Sequence, residues 1–194
     1  ASAPVPASAV SVAIDDDPEK VGAVLTVLTA TGEVMRVHAP TLWSNAFTFV
    51  ATETWLGHPL TPMQREDALA FLAGDYLQAY GPVTVEDFVW WTGLPRNRCE
   101  PALLSHEPVA IGDGYLLWPG HIRAFEQSRP VANRVSLLPA WDPYPMGYLD
   151  RSRLGRPEAI DAAFDRQGNS LPIVLVEGRI AGLWDFALSR AGTC

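Results

Sequence analysis

The apolar positions Val21, Val24, Leu25 and Leu28 recur at the i, i+3, i+4, i+7 spacing of one helix face. Asp17-Pro18 supplies a start signal and Gly32 a stop. Apolar runs at 34–37 and 47–51, around a Pro-Thr-Leu-Trp-Ser-Asn turn region beginning at Pro40, predict a two-stranded ribbon. A second helix is expected from Thr61-Pro62, through Ala68, Leu69, Phe71, Leu72 and Leu77, to Tyr80, where Gly81-Pro82 breaks it. Thr84 caps a third helix, with Glu86 and Asp87 at the positive end of its dipole and Phe88, Trp90 and Trp91 as its bulk. After Gly93-Leu94-Pro95 a fourth helix covers 96–105. Two strands, 109–111 and 115–118, then flank Gly112-Asp113-Gly114, a turn that needs positive φ.

Helix, turn, helix and hairpin in that order describe a winged helix-turn-helix. The remainder alternates differently. Short apolar runs at 135–138 and 173–176, and a Glu177-Gly178 turn leading into 180–184, predict strands, with a short helix at 157–164. The expected fold is α+β: a winged helix-turn-helix followed by a small β-barrel or curled antiparallel sheet. The expected organisation is a flexible segment at 1–16, the end of a preceding winged helix at 17–58, the winged helix-turn-helix at 61–130 and the barrel-like region at 134–190.

Charge changes this picture once it is divided along the chain. The 194 residues carry a net charge of −8, and all of that excess lies before residue 88. There Lys20, Arg36 and Arg65 face eleven acidic residues, whereas the rest balances eleven arginines against eleven acids. Phosphate affinity comes from counterion release to Lys and Arg, so any DNA contact must come from the second half. No stretch is long and apolar enough to span a bilayer, and no basic segment precedes an apolar core at the N-terminus, so a cytoplasmic protein is expected. Cys99 and Cys194 read as free thiols. His38, His58, His106 and His121 lack metal spacing, so no metal and no cofactor is expected.

Three ordered motifs carry a family resemblance. They are Tyr80-Gly81-Pro82-Val83-Thr84-Val85-Glu86-Asp87-Phe88-Val89-Trp90-Trp91-Thr92-Gly93-Leu94, then Leu137-Leu138-Pro139-Ala140-Trp141-Asp142-Pro143-Tyr144 with Gly147-Tyr148-Leu149-Asp150-Arg151, and last Val174-Leu175-Val176-Glu177-Gly178-Arg179-Ile180-Ala181-Gly182-Leu183-Trp184. The chain resembles, over about its last 115 residues, bacterial winged-helix proteins that include DNA glycosylases for interstrand crosslinks and alkylated purines. Some of those protect antibiotic producers from their own alkylating product. The resemblance implies tandem winged helices closed by a C-terminal β-barrel, with hydrolysis depending on an N-terminal Gln-x-Gln or Gln-x-Asp motif. This chain then corresponds to the C-terminal part. Its nearest string, Gln64-Arg65-Glu66, stands at a helix start and has a charged middle residue. No catalytic residue is therefore assigned, although such a reaction needs a fixed acceptor beside the sugar.

Double-stranded DNA is the expected partner. Arg96, Asn97 and Arg98 open the second helix of the helix-turn-helix and read either as phosphate donors or as a solvated helix start. Arg151, Arg153 and Arg156 form either a phosphate-contacting patch or a solvated loop, and Arg179 sits where a hairpin tip could carry it toward a groove. Trp90 and Trp91, being adjacent, cannot share a face: at least one is expected in the core, leaving the other to cover a phosphate or a partner domain. Asp142 and Tyr144, with Trp91, either line a DNA cleft, or Asp142 caps a turn over Tyr144. The alternative function is a non-catalytic protein that binds a partner or sequesters a natural product. A missing N-terminal catalytic segment and self-association are the other expected partners.

Overall fold

A computed structural model describes residues 3–14, 17–38, 47–129 and 132–186. The chain divides into two compact units, Ala1–Met63 and Gln64–Cys194.

The first unit is built from β1 (Val5–Pro6), α1 (Ala7–Ile14), α2 (Pro18–Ala30), β2 (Val34–His38), β3 (Phe47–Ala51) and α3 (Thr52–Leu56). The start of α2 follows its sequence: Asp17 Oδ1 accepts the Glu19 amide at 2.8 Å and Pro18 occupies the first turn. Val21 and Leu25 are buried, but Val24, expected on the same face, is 56% exposed. The buried stripe is narrower than the apolar pattern because it runs through i, i+4 and not i+3. Gly32 adopts φ +80°, which an L-residue avoids, and a Cβ there would meet Leu60 Cδ1 at 2.8 Å.

The ribbon forms as expected, β2 pairing antiparallel to β3 from Val34↔Ala51 to His38↔Phe47. The turn expected around 40–45 lies outside the described residues. Residues 3–14, expected as a flexible segment, instead carry β1, which pairs with the other edge of β3, and the two-turn helix α1. The reason is composition: Ala7, Ala9 and Ala13 favour helix. Pro6 is tolerated because β1 is an edge strand.

The second unit opens with α4 (Arg65–Tyr80), α5 (Val85–Thr92) and α6 (Arg96–Leu104), then a hairpin of β4 (Val109–Ala110) and β5 (Leu116–Leu117). α4 starts later than Thr61-Pro62 suggests, with Glu66 and Asp67 in its first turn, where the helix dipole favours acids. Val83 and Leu116 exchange backbone hydrogen bonds of 3.0 and 2.7 Å, so the segment between α4 and α5 adds a third rung to the hairpin. Gly112, Asp113 and Gly114 all take positive φ in its turn.

Leu69, Ala73, Tyr76, Leu77, Val83, Phe88, Cys99 and Leu103 form the core between these helices. Each large side chain fully buried there contributes about 1.5–3 kcal/mol. Tyr148, from the C-terminal region, belongs to the same core. The regions expected separately at 61–130 and 134–190 accordingly fall in one compact unit.

After a 3₁₀ turn at Pro119–His121 come α7 (Ile122–Gln127), β6 (Val135–Leu138), α8 (Pro143–Met146), a second 3₁₀ turn at Ser152–Leu154, α9 (Pro157–Ala163), β7 (Ile173–Val176) and β8 (Arg179–Leu183). The sheet order is β6-β7-β8, all antiparallel and open. Of the two forms expected, a small β-barrel or a curled antiparallel sheet, the described residues form an antiparallel sheet that does not close into a barrel, because three strands of four or five residues are too few to close around a filled interior. A small core of Ala163, Ile173 and Leu175 lies beneath α9 and the sheet. The Trp184 indole N–H donates to the Leu138 carbonyl at 2.8 Å, tying the end of β8 back to β6.

Candidate nucleic-acid interface

The first two motifs meet at one carboxylate. Asp87 Oδ2 accepts the Thr84 amide at 2.9 Å while the Asp87 amide donates to Thr84 Oγ1 at 3.1 Å, a reciprocal capping box at the start of α5. Its other oxygen, Oδ1, accepts the Leu149 amide at 2.9 Å. The side chain is 1% exposed. Sequence reading placed Asp87 at a helix dipole and missed this link, whose only trace is the recurrence of both motifs in order.

Around it, Tyr76, Tyr80, Phe88, Trp91 and Tyr148 form an aromatic cluster. Tyr76 lies with ring centroids 5.0 Å from both Tyr80 and Trp91, and Phe88 stacks on Trp91 at 6.1 Å and 19°. The Tyr76 hydroxyl donates to the Gly147 carbonyl at 2.6 Å and the Tyr148 hydroxyl to the Tyr80 carbonyl at 2.9 Å. Burial pushes the Tyr76 phenol well above its usual value and Tyr148 up to about 12. Because the folded state favours the protonated phenols, their contribution to stability is complete below the ordinary tyrosine value of 10 and falls away as pH rises toward 12. An absorbance titration is expected to show these two phenols ionising only together with alkaline unfolding. Reversible ionisation near pH 10 in the folded protein would contradict the packing.

Neither Trp90 nor Trp91 is fully buried, although at least one was expected in the core. They are 38% and 39% exposed on different sides of α5, Trp91 against the cluster and Trp90 beside Arg151, whose guanidinium carbon lies 5.6 Å from its ring.

The candidate arginines have unequal surroundings. Arg96 is held between carboxylates: it bonds Glu86 on α5, and it donates twice to Glu100, one turn along α6, at 3.1 and 3.2 Å. Arg98 pairs with Glu66 on α4 at 3.3 Å. Asn97, between them, is exposed. Arg151 packs its guanidinium 3.7 Å over Phe164, donates to the Gly168 carbonyl at 3.2 Å, and is pulled below its usual pKa by burial. Arg153 lies 3.8 Å over Tyr148 and donates to the Pro82 carbonyl at 3.1 Å. These two are held by the fold, each partly buried. Arg156 and Arg179 are exposed, the first at the cap of α9 and the second just after the Glu177-Gly178 turn.

Asp142 takes the turn-capping arrangement: its Oδ1 accepts the Tyr144 amide at 2.9 Å at the start of α8. Tyr144 stands edge-on to Tyr148 at 5.8 Å and helps line a hollow of about 430 Å³ on the sheet, with Arg134, Ser136, Leu138 and Leu175. Trp141 was not singled out in the sequence. It is 72% exposed and adopts φ +60°.

Among the described residues no group of His, Cys, Asp and Glu could hold a metal ion, and no helix is long and apolar enough to cross a membrane. Cys99 is a buried free thiol, and Cys194 lies outside the described residues.

Residues 2–193 match the family model described as DNA glycosylase AlkZ-like. The chain belongs to the AlkZ-like DNA glycosylase family. The solved structure of the Streptomyces sahachiroi DNA glycosylase AlkZ is similar, with a TM-score of 0.73 and 22% sequence identity over 94% of this chain. At that identity the likeness concerns the fold. It covers 54% of that protein, so this AlkZ-like chain spans about half its length. No curated protein matches the chain.

Proposed function

We propose that this chain is a DNA-binding module, the C-terminal part of an AlkZ-like glycosylase, without the residues that the family resemblance assigns to hydrolysis. Membership of the family over nearly the whole chain is the observation that carries this reading. The order α4, α5, α6 and hairpin, with its extra rung at Val83 and Leu116, supports a winged helix as the DNA-facing body. The substrate class is duplex DNA bearing an alkylated or crosslinked purine.

Ion pairing decides which cations are available to phosphate. Arg96 and Arg98 spend charge on Glu86, Glu100 and Glu66, so they contribute little to counterion release. Arg156 and Arg179 make no ion pair among the described residues and are assigned the phosphate contacts. In a mobility-shift titration, Arg156→Ala with Arg179→Ala is expected to weaken duplex binding about tenfold or more and to lower the salt slope by about two, near 0.9 per contact. Arg96→Ala is expected to change the affinity less than about fivefold, the equivalent of the roughly 1 kcal/mol that an exposed pair contributes at most. A larger loss from Arg96→Ala than from the double variant would reverse the assignment.

The paired carboxylates around α6 and the net charge of −8 favour one second reading, a module that binds a protein partner through α4 and α6. Full duplex binding by wild type at moderate salt would count against it.

A further inference from the structure

The Leu-Pro-Ala-Trp-Asp-Pro-Tyr segment holds an aromatic side chain out from the surface at a cost. Trp141 is 72% exposed, yet its backbone sits at φ +60°, a conformation that a bulky L-residue rarely adopts. The chain is held there from both sides. The Trp141 amide donates to the Ser170 carbonyl at 2.9 Å, the Asp142 amide donates to the Pro139 carbonyl at 3.3 Å, and Asp142 caps α8 immediately after. Ser170 itself is buried. Core burial cannot account for a tryptophan in this position, since the indole gains little of it, and a glycine or asparagine would relieve the backbone. Strain retained at an exposed aromatic is the arrangement of a ligand-contacting residue.

Ser170 closes a tight turn in which Asp165 Oδ1 accepts the amides of Gln167 and Asn169 at 2.8 and 2.9 Å. Arg166 projects from that turn, exposed and without an ion pair among the described residues. The Gly168 carbonyl of the same turn anchors Arg151, which lies beside the half-exposed Trp90. One turn thus connects the anchored backbone that carries an open indole with an exposed cation.

We propose that Trp141 is a base-stacking residue, its indole lying on a nucleobase that is unpaired within duplex DNA while Arg166 meets the adjoining phosphate. The inference rests on the DNA-binding reading above and adds to it a preference for DNA whose stacking is interrupted. An open indole with an arginine on the adjoining turn suits such a base, because every base offers a π-face and the backbone that carries the indole is already held before binding.

The test compares labelled duplexes with and without a single unpaired base by fluorescence anisotropy, using wild type, Trp141→Gly, Trp141→Phe and Arg166→Ala. Trp141→Gly relieves the positive φ and is expected to fold at least as stably as wild type, so lost binding cannot be attributed to lost structure. It should weaken binding to the bulged duplex about 5- to 150-fold, the range for one stacked base, and leave the intact duplex nearly unchanged. Trp141→Phe should stay within about threefold of wild type. Arg166→Ala should weaken both duplexes and lower the salt slope by about one. If wild type binds DNA and Trp141→Gly binds the bulged duplex equally well, the stacking role is overturned while the DNA-binding reading stands. If wild type binds neither duplex, both fall. Equal DNA binding together with a change from dimer to monomer on gel filtration would assign the indole to a protein contact and overturn the proposal.

Discussion

Asp87→Ala is expected to lower the stability of the second unit by about 3–5 kcal/mol, the largest effect of any single substitution considered. The loss has two sources that act together. Removing the capping carboxylate costs about 1 kcal/mol at the start of α5. It also leaves the part-buried Thr84 and Leu149 amides, which Asp87 accepts at 2.9 Å each, without that acceptor. Each orphaned buried donor costs about 1–3 kcal/mol. Chemical denaturation should show the midpoint falling steeply, with Asp87→Asn intermediate because one acceptor oxygen survives beside an amide donor that repels the backbone N–H. A change below about 1 kcal/mol would mean that the two motifs are not joined through this side chain.

Gly147→Ala is expected to cost about 2–3 kcal/mol for a steric reason, in the range seen when a well-packed core is overfilled. A Cβ at residue 147 would lie 2.3 Å from Tyr80 Cδ1 and 2.4 Å from Cε1, distances that no packing tolerates. The Tyr80 ring would have to turn away from Tyr76 and Tyr148, which it contacts at 5.0 and 5.9 Å. The Gly147 carbonyl, which accepts the Tyr76 hydroxyl, would shift with it. The cycle with Tyr80→Ala isolates the cause: the second substitution removes the obstructing ring, so the double variant should be more stable than the sum of the singles by about 1 kcal/mol or more. Additive losses would show that Gly147 is required for some other reason.

Both predictions concern contacts between segments some sixty to seventy residues apart, and they mark where legibility in the sequence ended. Local signals were sufficient for α2, α5, α6, the β4–β5 hairpin and β6 to β8, because each is punctuated by its own cap, glycine or turn. α1 was missed because a short Ala- and Val-containing run carries no stop or start of its own, and β1 exists only through its pairing with β3. The barrel was expected from strand-rich spacing, which does not show whether strands close or stay open. Asp142 was readable as a turn cap from its type and neighbours. Arg151 and Arg153 read as a basic run, whereas their guanidinium groups rest on Phe164 and Tyr148, contacts that charge spacing alone does not reveal. Arg96 was half legible: Glu100 stands one helical turn away, but Glu86 reaches it only through the packing of α5 on α6. Trp141 stood in the second motif but gave no signal of its own, because its significance lies in a backbone angle.

Whether this AlkZ-like chain is a DNA-binding module is decided by fluorescence anisotropy of a labelled duplex titrated with the wild-type protein at low and at moderate salt. Binding is expected at low salt and to weaken as salt rises, with a log–log slope of about −2.7, set by Arg156, Arg166 and Arg179 at about 0.9 each. No binding at low salt, or binding indifferent to salt, would contradict it.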